Sequence, residues 1–175
     1  NKEITKDYTL KLGLTYSGAQ KITVKKETFW ESYFGDVDNV VSKVDSSVNA
    51  RGKIQMPFNV GAGAILAHGL NWQIGADYQY SNWKSFTSFG LPDSMNNSWT
   101  IRVGGAYIPD ANSVNSYWEK MTFRLGFYTG KDIYSFSRNQ LSKTAGTAGI
   151  GYPITRTNNT IGQINASVEV GSRGT

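Results

Sequence analysis

The chain has 175 residues, with 18 Lys and Arg against 13 Asp and Glu and a formal net charge of +5. No stretch reaches the roughly eighteen consecutive apolar residues of a membrane-spanning helix, which excludes a helical membrane protein. Cysteine is absent, excluding a disulfide framework and thiolate metal sites. The basic residues are spread singly along the chain, so no nucleic-acid partner is expected.

Nineteen Gly, ten Tyr, eight Phe and five Trp against four Pro make a strand-forming composition. The mean hydropathy of -0.40 suits a soluble protein, but a sheet that alternates lipid-facing and lumen-facing side chains gives the same average. The pattern along the chain therefore carries more information than its mean.

From Asp7 to Ser17 the even positions are Tyr8, Leu10, Leu12, Leu14 and Tyr16, and the odd ones are Thr9, Lys11, Gly13 and Thr15. This predicts a lipid-facing strand with a tyrosine at each water interface. Ser17-Gly18-Ala19-Gln20 reads as a tight turn, followed by a strand over 21–34 and a long loop over 35–53 in which 37–48 is irregular. A Gly/Ala-rich strand is expected at 56–66, then a turn at Ala67-His68-Gly69. The strand at 70–80 sets Leu70, Trp72, Ile74, Ala76, Tyr78 and Tyr80 against Gln73, Gly75, Asp77 and Gln79. Further strands are expected at 98–108 (Trp99, Ile101, Val103 and Tyr107 on one side), 117–128 (Met121, Phe123, Leu125 and Phe127), 143–152 and 163–170.

The predicted fold class is all-β: about eight strands of an antiparallel transmembrane β-barrel, with 1–175 forming a single barrel segment. Strands of roughly ten residues match a membrane at a barrel tilt. The predicted connections alternate short and long, as tight periplasmic turns and longer extracellular loops do. The expected location is the outer membrane of a Gram-negative bacterium, with Tyr8, Tyr16, Trp72, Tyr80, Trp99 and Tyr107 forming the girdle against membrane lipids.

In this phase the inward positions include Lys11, Lys25, Glu27, Glu31, Asp77, Arg102, Lys120, Arg124 and Glu169. Charges inside a barrel must be paired or hydrated, so a lumen network through Lys11, Asp77, Lys120 and Glu169 is expected. A sharper alternative lets Arg102 and Arg124, on neighbouring strands, grip a ligand carboxylate. The single histidine, His68, reads as a turn residue at the rim; with no second histidine and no cysteine, neither a metal nor a catalytic site is expected. There is no Gly-x-Ser-x-Gly elbow, and the glycines at 61–63 and 146–151 lack the helix that a phosphate loop opens. No enzyme activity and no cofactor are expected.

Several short segments in order resemble the FadL-type outer-membrane transporters. They are Arg51-Gly-Lys-Ile-Gln-Met-Pro57 with Gly61-Ala-Gly63; Trp72-Gln-Ile-Gly-Ala-Asp-Tyr78 with Asn82-Trp83; Gly104-Gly-Ala-Tyr107 with Pro109; Tyr117-Trp118 with Phe123-Arg124-Leu-Gly126; Gly149-Ile-Gly-Tyr-Pro153; and Glu169-Val-Gly-Ser-Arg-Gly174. The resemblance implies the C-terminal half of a fourteen-stranded barrel, lacking the N-terminal part and the last strand. It also implies passive transport of long-chain fatty acids or another hydrophobic small-molecule ligand. Two alternatives remain: a barrel of that type acting in protein secretion or as a structural outer-membrane protein, with a protein partner at its extracellular loops, and a soluble β-sandwich binding module.

Overall fold

The structure, a computed structural model, describes residues 2–5, 7–33, 40–111, 113, 116–137, 139–156 and 160–174; among these, side chains are described outside 2–5, 31–33, 40–49, 155–156 and 160–161. Twelve strands follow in chain order: β1 (Lys2–Thr5), β2 (Tyr8–Ser17), β3 (Gln20–Tyr33), β4 (Val40–Met56), β5 (Asn59–His68), β6 (Trp72–Ser81), β7 (Thr87–Ser88), β8 (Leu91–Pro92), β9 (Ser98–Tyr107), β10 (Thr122–Phe136), β11 (Asn139–Arg156) and β12 (Thr160–Gly174). Short 3-10 turns cover Trp83–Ser85 and Trp118–Lys120. Every pairing is antiparallel. One sheet has the order β1-β2-β5-β6-β9-β10-β11-β12 and a second the order β3-β4-β7-β8. Among the described residues β1 and β12 are the edges of the larger sheet.

The expected turn at Ser17–Gln20 does not exist. Ser17 faces Asn59 and Gln20 faces Met56, so two residues on one side lie opposite two on the other and the register continues unbroken. Gly18-Ala19 face Pro57-Phe58, and Pro57, having no N–H, interrupts the ladder without reversing the chain. Thus β2 runs on into β3 and β4 into β5. The stretch expected as a loop over 35–53 is strand from Val40 onward, where the β-branched valines of 40–48 suit a pleated backbone. The fourteen residues of β3 extend the hairpin beyond the sheet as a two-stranded ribbon roughly 46 Å long.

The other expected strands are found, with shifted ends. The largest shifts are at 117–128, where Trp118–Lys120 turn and β10 begins at Thr122, and at 143–152, which grows to the 18 residues of β11.

Register aligns the apolar positions of successive strands. Leu12 faces Ala64, Ala64 faces Ala76, Ala76 faces Val103, Val103 faces Phe127, and on the next pair Leu125 faces Ala148. This face is exposed: Leu12 is 74% exposed, Leu125 72% and Val170 74%. Along β10, exposed Phe123, Leu125 and Phe127 alternate with less exposed Arg124, Gly126 and Tyr128. Among the described residues the only buried apolar side chains are Pro57, Met121 and Ala145. A water-soluble domain of this length gathers its large apolar side chains inside; here they stay exposed along one whole face of the sheet. All-β content fits a β-sandwich as far as it goes, but the apolar rows stay exposed instead of packing on a second sheet.

Candidate functional site

Three features stand out: the aromatic rows of the apolar face, the hollow of the polar face, and the ribbon.

The lower row runs across five strands in register, Tyr8 to His68 to Trp72 to Tyr107 to Phe123. Its rings touch: Tyr8 and His68 centroids are 4.5 Å apart, Tyr8 and Trp72 6.2 Å, His68 and Trp72 6.0 Å. Eight residues along each strand lies the upper row, Tyr16, Val60, Tyr80, Trp99 and Lys131. The Tyr80 hydroxyl accepts a 2.8 Å hydrogen bond from Asn97 Nδ2. The rows are therefore about 27 Å apart along the strands. All six girdle residues named from the sequence fall in these rows. His68 and Phe123 join the lower row, a position that register shows and alternation within one strand does not.

On the opposite face six strands, β2, β5, β6, β9, β10 and β11, line a hollow of about 660 Å³. Lys11, Asp77, Arg102 and Arg124 all reach it. Arg102 Nη1 donates to Asp77 Oδ1 at 2.7 Å and its Nη2 to Gln79 Oε1 at 3.3 Å. Arg124 Nη1 donates to Asn165 Oδ1 at 2.8 Å. Arg102 lies opposite Tyr128, four residues from Arg124, so the two guanidinium groups leave strand positions roughly 13 Å apart and hold separate partners.

The Arg124–Asn165 bond is one of four among the described residues that arch from β10 over β11 to β12. Tyr128 donates to Glu169 Oε1 at 2.9 Å and Gln163 Nε2 to Thr122 Oγ1 at 3.2 Å, while Arg173 pairs with Asp132 nearby. The arch needs a low strand beneath it: a Cβ on Gly151 would stand 2.3 Å from Gln163 Nε2 and 2.8 Å from Asn165 Oδ1. Of the expected lumen network, Asp77 pairs with Arg102 and Glu169 with Tyr128, Lys11 faces the hollow, and Lys120 sits in the 3-10 turn off the sheet. Glu31 lies outside the described side chains. Gln163, Asn165 and Tyr128 were not singled out from the sequence; the polar phase of β12 beside the glycines of β11 is the signal that could have found them. Among the described residues no group of His, Cys, Asp or Glu is placed to hold a metal, and no helix is long and apolar enough to cross a membrane.

At the far end, the loop between β6 and β9 holds the ribbon. Ile54 pairs with Ser88 and Gln55 with Thr87, Gln55 Nε2 donates to the Ser85 carbonyl at 3.3 Å, and the Phe89 N–H donates to the Lys53 carbonyl at 3.0 Å. The Phe89 ring covers Gly52 so closely that a Cβ there would stand 2.0 Å from it. Phe89 has a φ of 53°, a left-handed conformation that a bulky residue adopts only under constraint.

The fold and these surfaces define an antiparallel β-sheet protein with its apolar side outward. The BamG family model matches residues 1–175, and the chain belongs to the BamG family. No curated protein and no solved structure matches it. The resemblance to FadL-type transporters is thereby corrected, and with it the expectation of fatty-acid transport and of a hydrophobic small-molecule ligand. The segments that carried that resemblance explain the error. Trp72–Tyr78 and Gly104–Tyr107 are strand with glycines on the polar side, and Arg51–Pro57 ends β4 at the proline break. Any sheet of this geometry selects such residues, so they report the architecture and not the cargo.

Proposed function

We propose that this chain is embedded in the outer membrane of a Gram-negative bacterium and serves outer-membrane protein assembly by binding a partner protein, without catalysis. Membership in the BamG family, which relates to the outer-membrane assembly machinery, supports the process. The observation that carries the membrane part is the exposed apolar face, with leucines about three-quarters exposed between two aromatic rows. At a strand tilt of about 40° the 27 Å between rows becomes roughly 21 Å of height, close to the apolar band of about 25 Å in outer-membrane barrels. The end that carries the β3–β4 ribbon and the loop between β6 and β9 then faces outward and the turn at Gly69 faces the periplasm. Arg102 and Arg124 in the hollow are held by Asp77, Gln79 and Asn165, a polar network that stiffens the sheet.

The test has two arms. Full-length protein folded into phosphatidylcholine vesicles should show Trp72 and Trp99 fluorescence quenched best by quenchers attached near the headgroups, with β2 and β10 protected from protease. Cross-linking in outer membranes, followed by purification through a tag, should recover components of the assembly machinery. Uniform aqueous quenching would refute embedding, and recovery equal to that of an untagged control would refute the assembly role.

A further inference from the structure

The basic residues look scattered in the sequence, but register gathers four of them. Across the ribbon Lys25 faces Arg51, Thr23 faces Lys53, and Lys21 faces Gln55. Lys21, Lys25, Arg51 and Lys53 therefore share one face, and all four are exposed. Like charges placed directly opposite on an antiparallel pair are destabilising, so the Lys25–Arg51 pairing works against the ribbon's own stability. Among the described residues no carboxylate forms an ion pair with any of the four. The neighbouring acid is Glu27, at the bulge between Lys26 and Thr28 where the register shifts. The opposite face carries Ile22, Val24 and Ile54, with Phe89 laid over Gly52 and Lys26 Nζ 5.9 Å from the Phe89 ring. The ribbon is thus two-faced: one side is latched to its own loop and the other is a free cationic strip.

We infer that this strip, Lys21, Lys25, Arg51 and Lys53, is a docking surface for an extended acidic segment of a partner protein. The inference rests on the membrane orientation proposed above and adds the chemistry of the partner. Two magnitudes favour protein over lipid phosphate. Lys21 is five residues and Lys25 nine residues beyond Tyr16 of the upper row, or roughly 17 and 30 Å along the strand. At a tilt of about 40° these are heights of roughly 13 and 23 Å, whereas the headgroup layer adds only about 5–8 Å to each side of the hydrocarbon core. The strip stands above the phosphates. In addition, Arg51 and Lys53 are about 7 Å apart along β4, the repeat of alternate side chains in an extended peptide, so a strand with carboxylates at every second residue meets the cations in step.

The test uses full-length protein in phosphatidylcholine nanodiscs and a fluorescein-labelled twelve-residue peptide of alternating Glu and Ser, read by fluorescence anisotropy. Saturable binding is expected, weakened steeply by salt and by about tenfold or more when Lys21, Lys25, Arg51 and Lys53 are all changed to Gln. Lys11→Gln, in the main sheet away from the ribbon, should leave the affinity unchanged. Neutralising the strip removes the Lys25–Arg51 repulsion, so the thermal midpoint should not fall; if it does, Lys25→Gln alone should still weaken binding severalfold with the midpoint intact. Equal affinity of wild type and the fourfold variant would overturn the proposal. So would variant-sensitive binding seen only with vesicles containing phosphatidylglycerol, which would make the strip a lipid site. Protease protection of β2 and β10 in the same discs reports embedding independently, so a failed peptide titration with protection intact refutes the docking surface alone.

Discussion

Changing Leu12 to Arg separates a sheet in a bilayer from a sheet in water. Leu12 lies four residues from Tyr8 and four from Tyr16, about 13 Å of strand from either row, and is 74% exposed. In water, a charged side chain at so exposed a position shifts stability by no more than about 0.5 kcal/mol. Near the middle of a bilayer the same arginine costs on the order of 2–4 kcal/mol, a change of roughly 30- to 700-fold in the folding equilibrium. Two companions establish depth and phase. Leu14→Arg, two residues nearer the upper row, should cost less than Leu12→Arg because the cost falls toward the interface. Thr15→Arg, on the polar face with only a 3.5 Å bond from Oγ1 to the Gly61 carbonyl, should cost under about 1 kcal/mol. Urea titrations of folding into thin-bilayer vesicles, followed by tryptophan fluorescence, measure all three. A Leu12→Arg variant as stable as Thr15→Arg would refute the assignment of the apolar face to lipid.

The remaining expectations concern the polar face and the latch. Arg102 and Asp77 are each 46% exposed, so a double-mutant cycle with Arg102→Ala and Asp77→Ala should give a coupling of only about 0.2–1 kcal/mol; several kcal/mol would show that the hollow is drier than the structure has it. Gly130→Leu should destabilise by about 1–3 kcal/mol because a Cβ there meets the Trp99 carbonyl and the Thr100 backbone, which cannot swing aside, whereas Gly13→Ala, with nothing within 4 Å of the new methyl, should be neutral or stabilise by up to about 1 kcal/mol; chemical denaturation compares the pair. Phe89→Ala should free the ribbon from its loop, and limited trypsin digestion should then cut after Lys26 and Lys53 several times faster than in wild type; unchanged cutting rates would show that β4–β7 pairing suffices.

Period-two alternation made most strands of the main sheet and their apolar side legible in advance, and it put Tyr8, Tyr16, Trp72, Tyr80, Trp99 and Tyr107 on that side. Tyr8 to Tyr16 and Trp72 to Tyr80 carry their phase within ten residues, so no partner strand is needed to see it. The resemblance drawn from short segments failed for a related reason: Trp72–Tyr78 and Gly104–Tyr107 encode the local demands of a pleated, one-side-glycine sheet, which unrelated functions share.

What the amino-acid order determined by itself is local: strand, face, the aromatic ends of each face, and the absence of cysteine chemistry. Only the tertiary structure could decide the rest, because the rest depends on pairs far apart in the chain. Ser17–Gln20 looks like a turn until Pro57 is found opposite, Arg124 looks available until Asn165 arrives over Gly151, and Lys25 looks solitary until register sets Arg51 beside it. Each partner lies 26 to 41 residues away, and nothing in a local period specifies which distant residue a backbone hydrogen-bond ladder will bring across.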